Sequence, residues 1–156
     1  MTRGAVRWWV PLIAVVALLL TGCVGAPLSD AAWSEKADRA LGAATTGVGT
    51  AQVVLDGVSH DKLTHAYAVV ALTDALEATE KQVDGFTVAQ PPDGGHARAT
   101  RVVAELHRAL ALLVEVRTTC ASPGLTTATT SALTAAVKSE LVRLDKARAA
   151  ATGGGR

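Results

Sequence analysis

Apolar residues along this chain recur mostly at intervals of three and four, the period of one face of an α-helix. Ala37, Leu41, Ala44, Val48, Ala51, Leu55 and Val58 form the first stripe, and Ser29 or Asp30 can cap its start. Asp30 and Glu35 lie near the positive end of that helix. Its weak part is Thr45-Thr46-Gly47-Val48-Gly49-Thr50, because a glycine costs about 1 kcal/mol relative to alanine in a helix interior. The stripe passes through unbroken, so close approach of a neighbour is expected there rather than a full break. A short strand over Gln52-Val53-Val54-Leu55 is the competing local reading.

Asp56-Gly57-Val58-Ser59 reads as a turn, with Ser59 or Asp61 capping a second helix. Val69, Leu72, Leu76, Thr79, Val83 and Phe86 supply that helix's stripe, and Gly85 to Gly95, with Pro91-Pro92 and Gly94-Gly95, reads as a loop. The third stripe is the most regular: Val102, Leu106, Ala109, Leu113, Val116 and Cys120. Ser122 and Pro123 then suit the cap and first position of a fourth helix, whose stripe is Leu133, Val137, Leu141, Leu144, Ala147 and Ala151. Its Thr126-Thr127-Ala128-Thr129-Thr130-Ser131 opening has poor helix propensity and is expected to fray or to depend on packing. Short connections between long helices predict an all-α domain, an antiparallel up-down-up-down four-helix bundle over residues 29–152 with a disordered tail at 153–156. Its alanine-rich seams leave little room for a large ligand.

The first segment has a different pattern. Arg3 and Arg7 precede thirteen uncharged residues, Trp8 to Leu20, interrupted only by Pro11. As a helix that run rises about 20 Å, short of a ~30 Å hydrocarbon core, so it reads as a cleaved signal peptide. Leu20-Thr21-Gly22-Cys23 resembles a bacterial lipobox, which implies cleavage between Gly22 and Cys23 and a lipid on the Cys23 sulfur. The alternative is ordinary cleavage near Ala26, with Cys23 discarded. Residues 23–28 would be the whole tether, at most ~20 Å long, so the domain is expected to stand close to the membrane on its extracytoplasmic face. Removing residues 1–22 from the 156 leaves 134, the size of one domain.

Charge changes the picture little. Without Arg3 and Arg7 the chain has 13 basic against 14 acidic side chains, so no nucleic-acid partner is expected. The lipobox, the alanine-rich first helix after Trp33 and the Gln90-Pro91-Pro92 turn together resemble the small lipoproteins abundant in actinobacteria. That resemblance spans the chain and implies location and shape; it carries over no further functional residue.

Candidate chemistry is sparse. An up-and-down bundle brings His60, Asp61, His65 and Cys120 to the end away from the lipid, and these are ligand types for Zn²⁺ or copper. Against a metal site, His60 and His65 are five apart, roughly 140° around a helix, and so cannot share an ion unless His60 lies in the loop, and Cys120 continues the core stripe as a buried thiol would. With Cys23 lipidated, Cys120 has no partner in the chain, and an intermolecular disulfide would need it exposed. His96 and His107 read as surface residues. No nucleophile elbow, phosphate loop or zinc-protease motif is present, so no cofactor and no catalysis are expected. The expected role is a non-catalytic interaction module in the cell envelope with an envelope protein partner; the alternative is a lipoprotein that binds a metal ion or small apolar ligand.

Overall fold

The computed structural model describes residues 28–122 and 124–153. The Leu20-Thr21-Gly22-Cys23 motif, nearly all of the tether, Pro123 and residues 154–156 lie outside the described residues. Four helices account for almost all of what is described: α1 (Asp30–Ser59), α2 (His65–Thr87), α3 (His96–Ala121) and α4 (Thr127–Thr152), with no strand among the described residues. They pack as a four-helix bundle.

Hydroxyl caps start three of them. The Ser29, Thr64 and Thr126 side chains accept the amides of Ala32, Tyr67 and Thr129 at 3.2, 3.3 and 3.2 Å, satisfying amide donors that the helix itself leaves free. α3 lacks a side-chain cap. It begins after a Pro92–Gly95 turn closed by a 2.8 Å hydrogen bond, with Gly94 at φ +76°, a conformation that glycine adopts without a Cβ clash.

Two boundaries differ from the sequence expectation because backbone geometry overrides residue type. Asp56-Gly57-Val58-Ser59 is the last turn of α1, not a connection. The reversal follows it: Lys62 N donates to Gly57 O at 2.8 Å and Asp61 N to Val58 O at 3.1 Å, with Asp61 at φ +54°. This is a Schellman termination, which satisfies the carbonyls at the helix end. Thr64, rather than Ser59 or Asp61, caps α2. Likewise Ser122 closes α3, its Oγ donating to Thr118 O at 2.9 Å, and Thr126 caps α4. α2 also runs two residues past Gly85, shortening the expected loop.

The threonine-rich stretches stay helical. Thr45, Thr46 and Thr50 donate back to the carbonyls of Leu41, Gly42 and Thr46 at 2.9–3.0 Å, so their hydroxyls supplement the helical ladder. α4 opens in the same way, with Thr130 buried and donating to Thr126 O, so this opening is held by packing rather than frayed.

α1 is the central element. It packs against all three other helices, most extensively α4 and α2, whereas α3 and α4 meet sparsely. Its buried positions form a wide band, Trp33, Ala37, Ala40, Leu41, Ala44, Gly47, Val48, Ala51, Val54 and Leu55 among them. Half of these are alanine or glycine, which lets three helices approach one axis. At Gly47 a Cβ would lie 2.5 Å from Thr79 Oγ1, so α1 is continuous there and closely packed.

Cross-helix pairs give the directions. Trp33 meets Phe86, Gly47 meets Thr79 and Gly57 meets Leu63, so positions descend α2 as they climb α1. His65 meets Cys120 across α2 and α3, and Asp38 meets Arg148 across α1 and α4. The starts of α1 and α3 share one end, where Arg98 pairs with Asp30.

Candidate functional site

The sparse α3–α4 pairing leaves a long open seam, with charged residues along both edges. On α3 these are Arg98, Arg101, Glu105 and Arg108, and on α4 Glu140, Arg143 and Lys146. They recur at three and four along α3 and at three along α4, so on each helix they line one stripe. The seam divides into two clefts that share Arg143. The one nearer the start of α1 encloses about 350 Å³, with Val102, Ala147, Ala150 and Ala151 as its apolar floor. The other encloses about 270 Å³, between Leu112 and Glu115 on α3 and Ala136 and Ser139 on α4.

Glu140 sits at the centre of this seam and is only 3% exposed. One carboxylate oxygen is 3.5 Å from Arg143 Nη1, while Oε1 has no hydrogen-bond partner among the described residues. Burial pushes its pKa above the ordinary carboxylate range; Arg143 and Arg108 pull it down and Glu105 pushes it up. Glu105 is itself paired with Arg108. A buried acceptor without a partner costs about 1–3 kcal/mol, so the bundle tolerates here a group that packing alone would not select.

At the α1-start end of the seam, Arg98 is held firmly. It pairs with Asp30 and lies over the Trp33 ring, 4.6 Å from the ring centroid. Trp33 is fully buried against Phe86, with centroids 5.5 Å apart and planes tilted by 56°. This aromatic pair plugs the end of the core beside a third open cleft of about 310 Å³, under Ala89 and Pro91. Asp38 and Arg148 add a bidentate pair at 2.5 and 2.9 Å, which holds the Asp38 carboxyl below its usual range.

The residues singled out as ligands at the other end are only partly assembled. His65 Nδ1 donates to the Cys120 backbone carbonyl at 3.2 Å, so α2 meets α3 there through the main chain and not through the thiol. His60 Nδ1 turns back to Asp56 O at 2.8 Å, on its own helix. Asp61 and His65 share a small polar cleft with Ser59, Thr127 and Thr130. The Cys120 thiol is buried and free, its pKa raised by burial. Among the described residues no three of His, Cys, Asp and Glu converge as a metal site would require. Cys23 and Gly22 lie outside the described residues.

Glu140 and the seam were missed because the apolar α4 stripe, read by residue type, passes from Val137 to Leu141. Strict spacing would have found Glu140, though not the seam: positions 130, 133, 137, 140, 144, 147 and 151 repeat at three and four, and all except Ala147 are buried.

No described helix is long and apolar enough to cross a membrane. No family model, curated protein or solved structure matches the chain.

Proposed function

We propose that this protein is a lipid-anchored, non-catalytic interaction module on the outer face of the cytoplasmic membrane, and that it receives an envelope protein partner in the half of the α3–α4 seam around Glu140. The observation carrying the docking half of this reading is the unpartnered Oε1 of a buried glutamate in an open seam. A turn of the Glu140 side chain into the cleft would bring that oxygen to a donor from a partner, which would also cover the sparse α3–α4 pairing. The anchor rests on Leu20-Thr21-Gly22-Cys23 at the end of a charge-free run. Two or more acyl chains on Cys23 would hold the protein at the membrane, since each buried CH₂ contributes about 0.8 kcal/mol.

Each half has its own test. Cys23→Ser should release or mislocalise the protein with its helicity unchanged; a variant still acylated like the parent would falsify the anchor. For docking, a photo-crosslinking amino acid at Ala136, in the seam, should give one discrete adduct in intact cells, and the same group at Ala66, on the exposed face of α2, should not. Equal labelling from both positions, or none from Ala136, would remove the seam from consideration.

A further inference from the structure

The other half of the seam has a different character. Its cleft is walled by Arg98 and Arg101 from α3 and by Arg143 and Lys146 from α4, with Glu105 as the one acidic residue on its lining. Arg98 is committed to Asp30 and Trp33. Arg143 is shared with Glu140. Arg101 donates its Nε to Ala97 O at 3.2 Å, which leaves the outer guanidinium nitrogens for another acceptor. Among the described residues neither Arg101 nor Lys146 has an acidic partner, and both are exposed. Two cations without an acidic partner among the described residues thus line the cleft from its two helices, over an apolar floor of Val102 and three alanines. The occupant such a cleft fits is an anion carrying apolar carbon.

Its place in the molecule selects among such anions. Asp30, the first residue of α1, is tied to Arg98 on the cleft wall, so the cleft lies at the end of the bundle where the chain enters. Only six residues separate Cys23 from α1, a reach of at most ~20 Å. Resting on the anchor reading above, we propose that this cleft takes the headgroup of an anionic phospholipid from the membrane that holds the protein. The phosphodiester is bound by Arg101 and Lys146, and the glycerol backbone lies over Ala147, Ala150 and Ala151. A guanidinium and an ammonium on opposite walls suit a phosphodiester, and a volume of about 350 Å³ accepts one headgroup rather than a helix. Headgroup binding would fix the rotation of the bundle about its tether and present the Glu140 half of the seam outward.

Trp33 supplies the readout. Once residues 1–22 are removed it is the sole tryptophan, because the other two are Trp8 and Trp9, and it lies beneath a guanidinium of the cleft wall. The mature lipoprotein in neutral detergent micelles is titrated, at constant ionic strength, with dihexanoyl phosphatidylglycerol, dihexanoyl phosphatidylcholine, inorganic phosphate or a glutamate-rich peptide. The expected result is a saturable change in Trp33 emission with phosphatidylglycerol alone. Arg101→Gln with Lys146→Gln should weaken it roughly tenfold or more, whereas Lys62→Gln with Arg117→Gln, near the opposite end, should leave it unchanged. The proposal is overturned if phosphatidylcholine saturates equally well, if phosphate or the peptide binds as tightly as the lipid, or if the Arg101 and Lys146 pair has no effect. The intact mass of the same preparation reports acylation of Cys23 separately, so failure of the anchor and failure of the headgroup site are distinguishable.

Discussion

The Glu140 carboxylate occupies a position in the α4 stripe where its neighbours in that stripe are Thr130, Leu133, Val137, Leu144 and Ala151. A buried oxygen without a donor is a standing cost, and Arg143 at 3.5 Å offsets it only in part. Glu140→Met keeps the length of the side chain and its helix propensity while removing that oxygen, so it should raise the unfolding free energy by about 1–2 kcal/mol. Urea denaturation checks this, and a loss of stability would show that Glu140 is better satisfied than its geometry indicates. If the variant is more stable yet loses the Ala136 adduct, stability and docking are opposed at this residue. Single residues were the least legible level of the sequence. Residue type hid Glu140 behind Leu141, and topology with residue type joined His60, His65 and Cys120, whose contacts are with backbone carbonyls or the core.

At the scale of elements the periodic signal was strong where one face meets the core, as on α3, whose six stripe residues are all buried. It was incomplete on α1, because a helix packed against three neighbours buries more than one stripe. Caps were less legible than stripes. Several hydroxyl residues compete at each turn, and the Schellman reversal at Asp61 decides between them through backbone geometry. Two glycines inside α1 separate packing from propensity. A Cβ on Gly47 would meet Thr79 Oγ1 at 2.5 Å and Leu113 Cδ1 at 3.1 Å, whereas nothing lies within 4 Å of one on Gly49. Gly49→Ala should therefore gain up to about 1 kcal/mol from helix propensity. Gly47→Ala receives the same gain but adds an overpacking cost of about 1–3 kcal/mol, for a net loss. Because the closest atom is a hydroxyl oxygen, Thr79→Ala should recover part of that loss in the double variant, giving a non-additive cycle. Equal effects of alanine at the two glycines would show that the α1–α2 approach is looser than described.

For the whole molecule, helix number and fold class followed from periodicity and loop length, while the open seam depended on how α4 is shared between α1 and α3, which no local pattern encodes. The same arrangement sets two opposing pH responses. Asp38, held below its ordinary value of 3.8 by Arg148, binds fewer protons folded than unfolded as pH falls through that region. Its contribution is present above about pH 3.8 and is lost as pH drops through the folded value. Glu140 has the reverse sign. Its folded value is raised above the ordinary 4.5, so stability is greatest with the carboxyl protonated and declines as pH rises through the folded value. Urea unfolding from about pH 2 to 8 should therefore separate the two by difference. Asp38→Asn should lose stability relative to the parent at neutral pH and converge with it in acid. Glu140→Gln should match the parent most closely in acid and exceed it progressively toward neutral pH. Those differences isolate each group from the other carboxylates that titrate in the same range. Because Asp38 ties α1 to α4 and Glu140 lies where α4 faces α3, the pair of profiles reports whether α4 is held chiefly by its α1 contact. A Glu140→Gln difference that grew toward acid would reverse the sign assigned to the seam and remove the argument that its buried carboxylate awaits a donor.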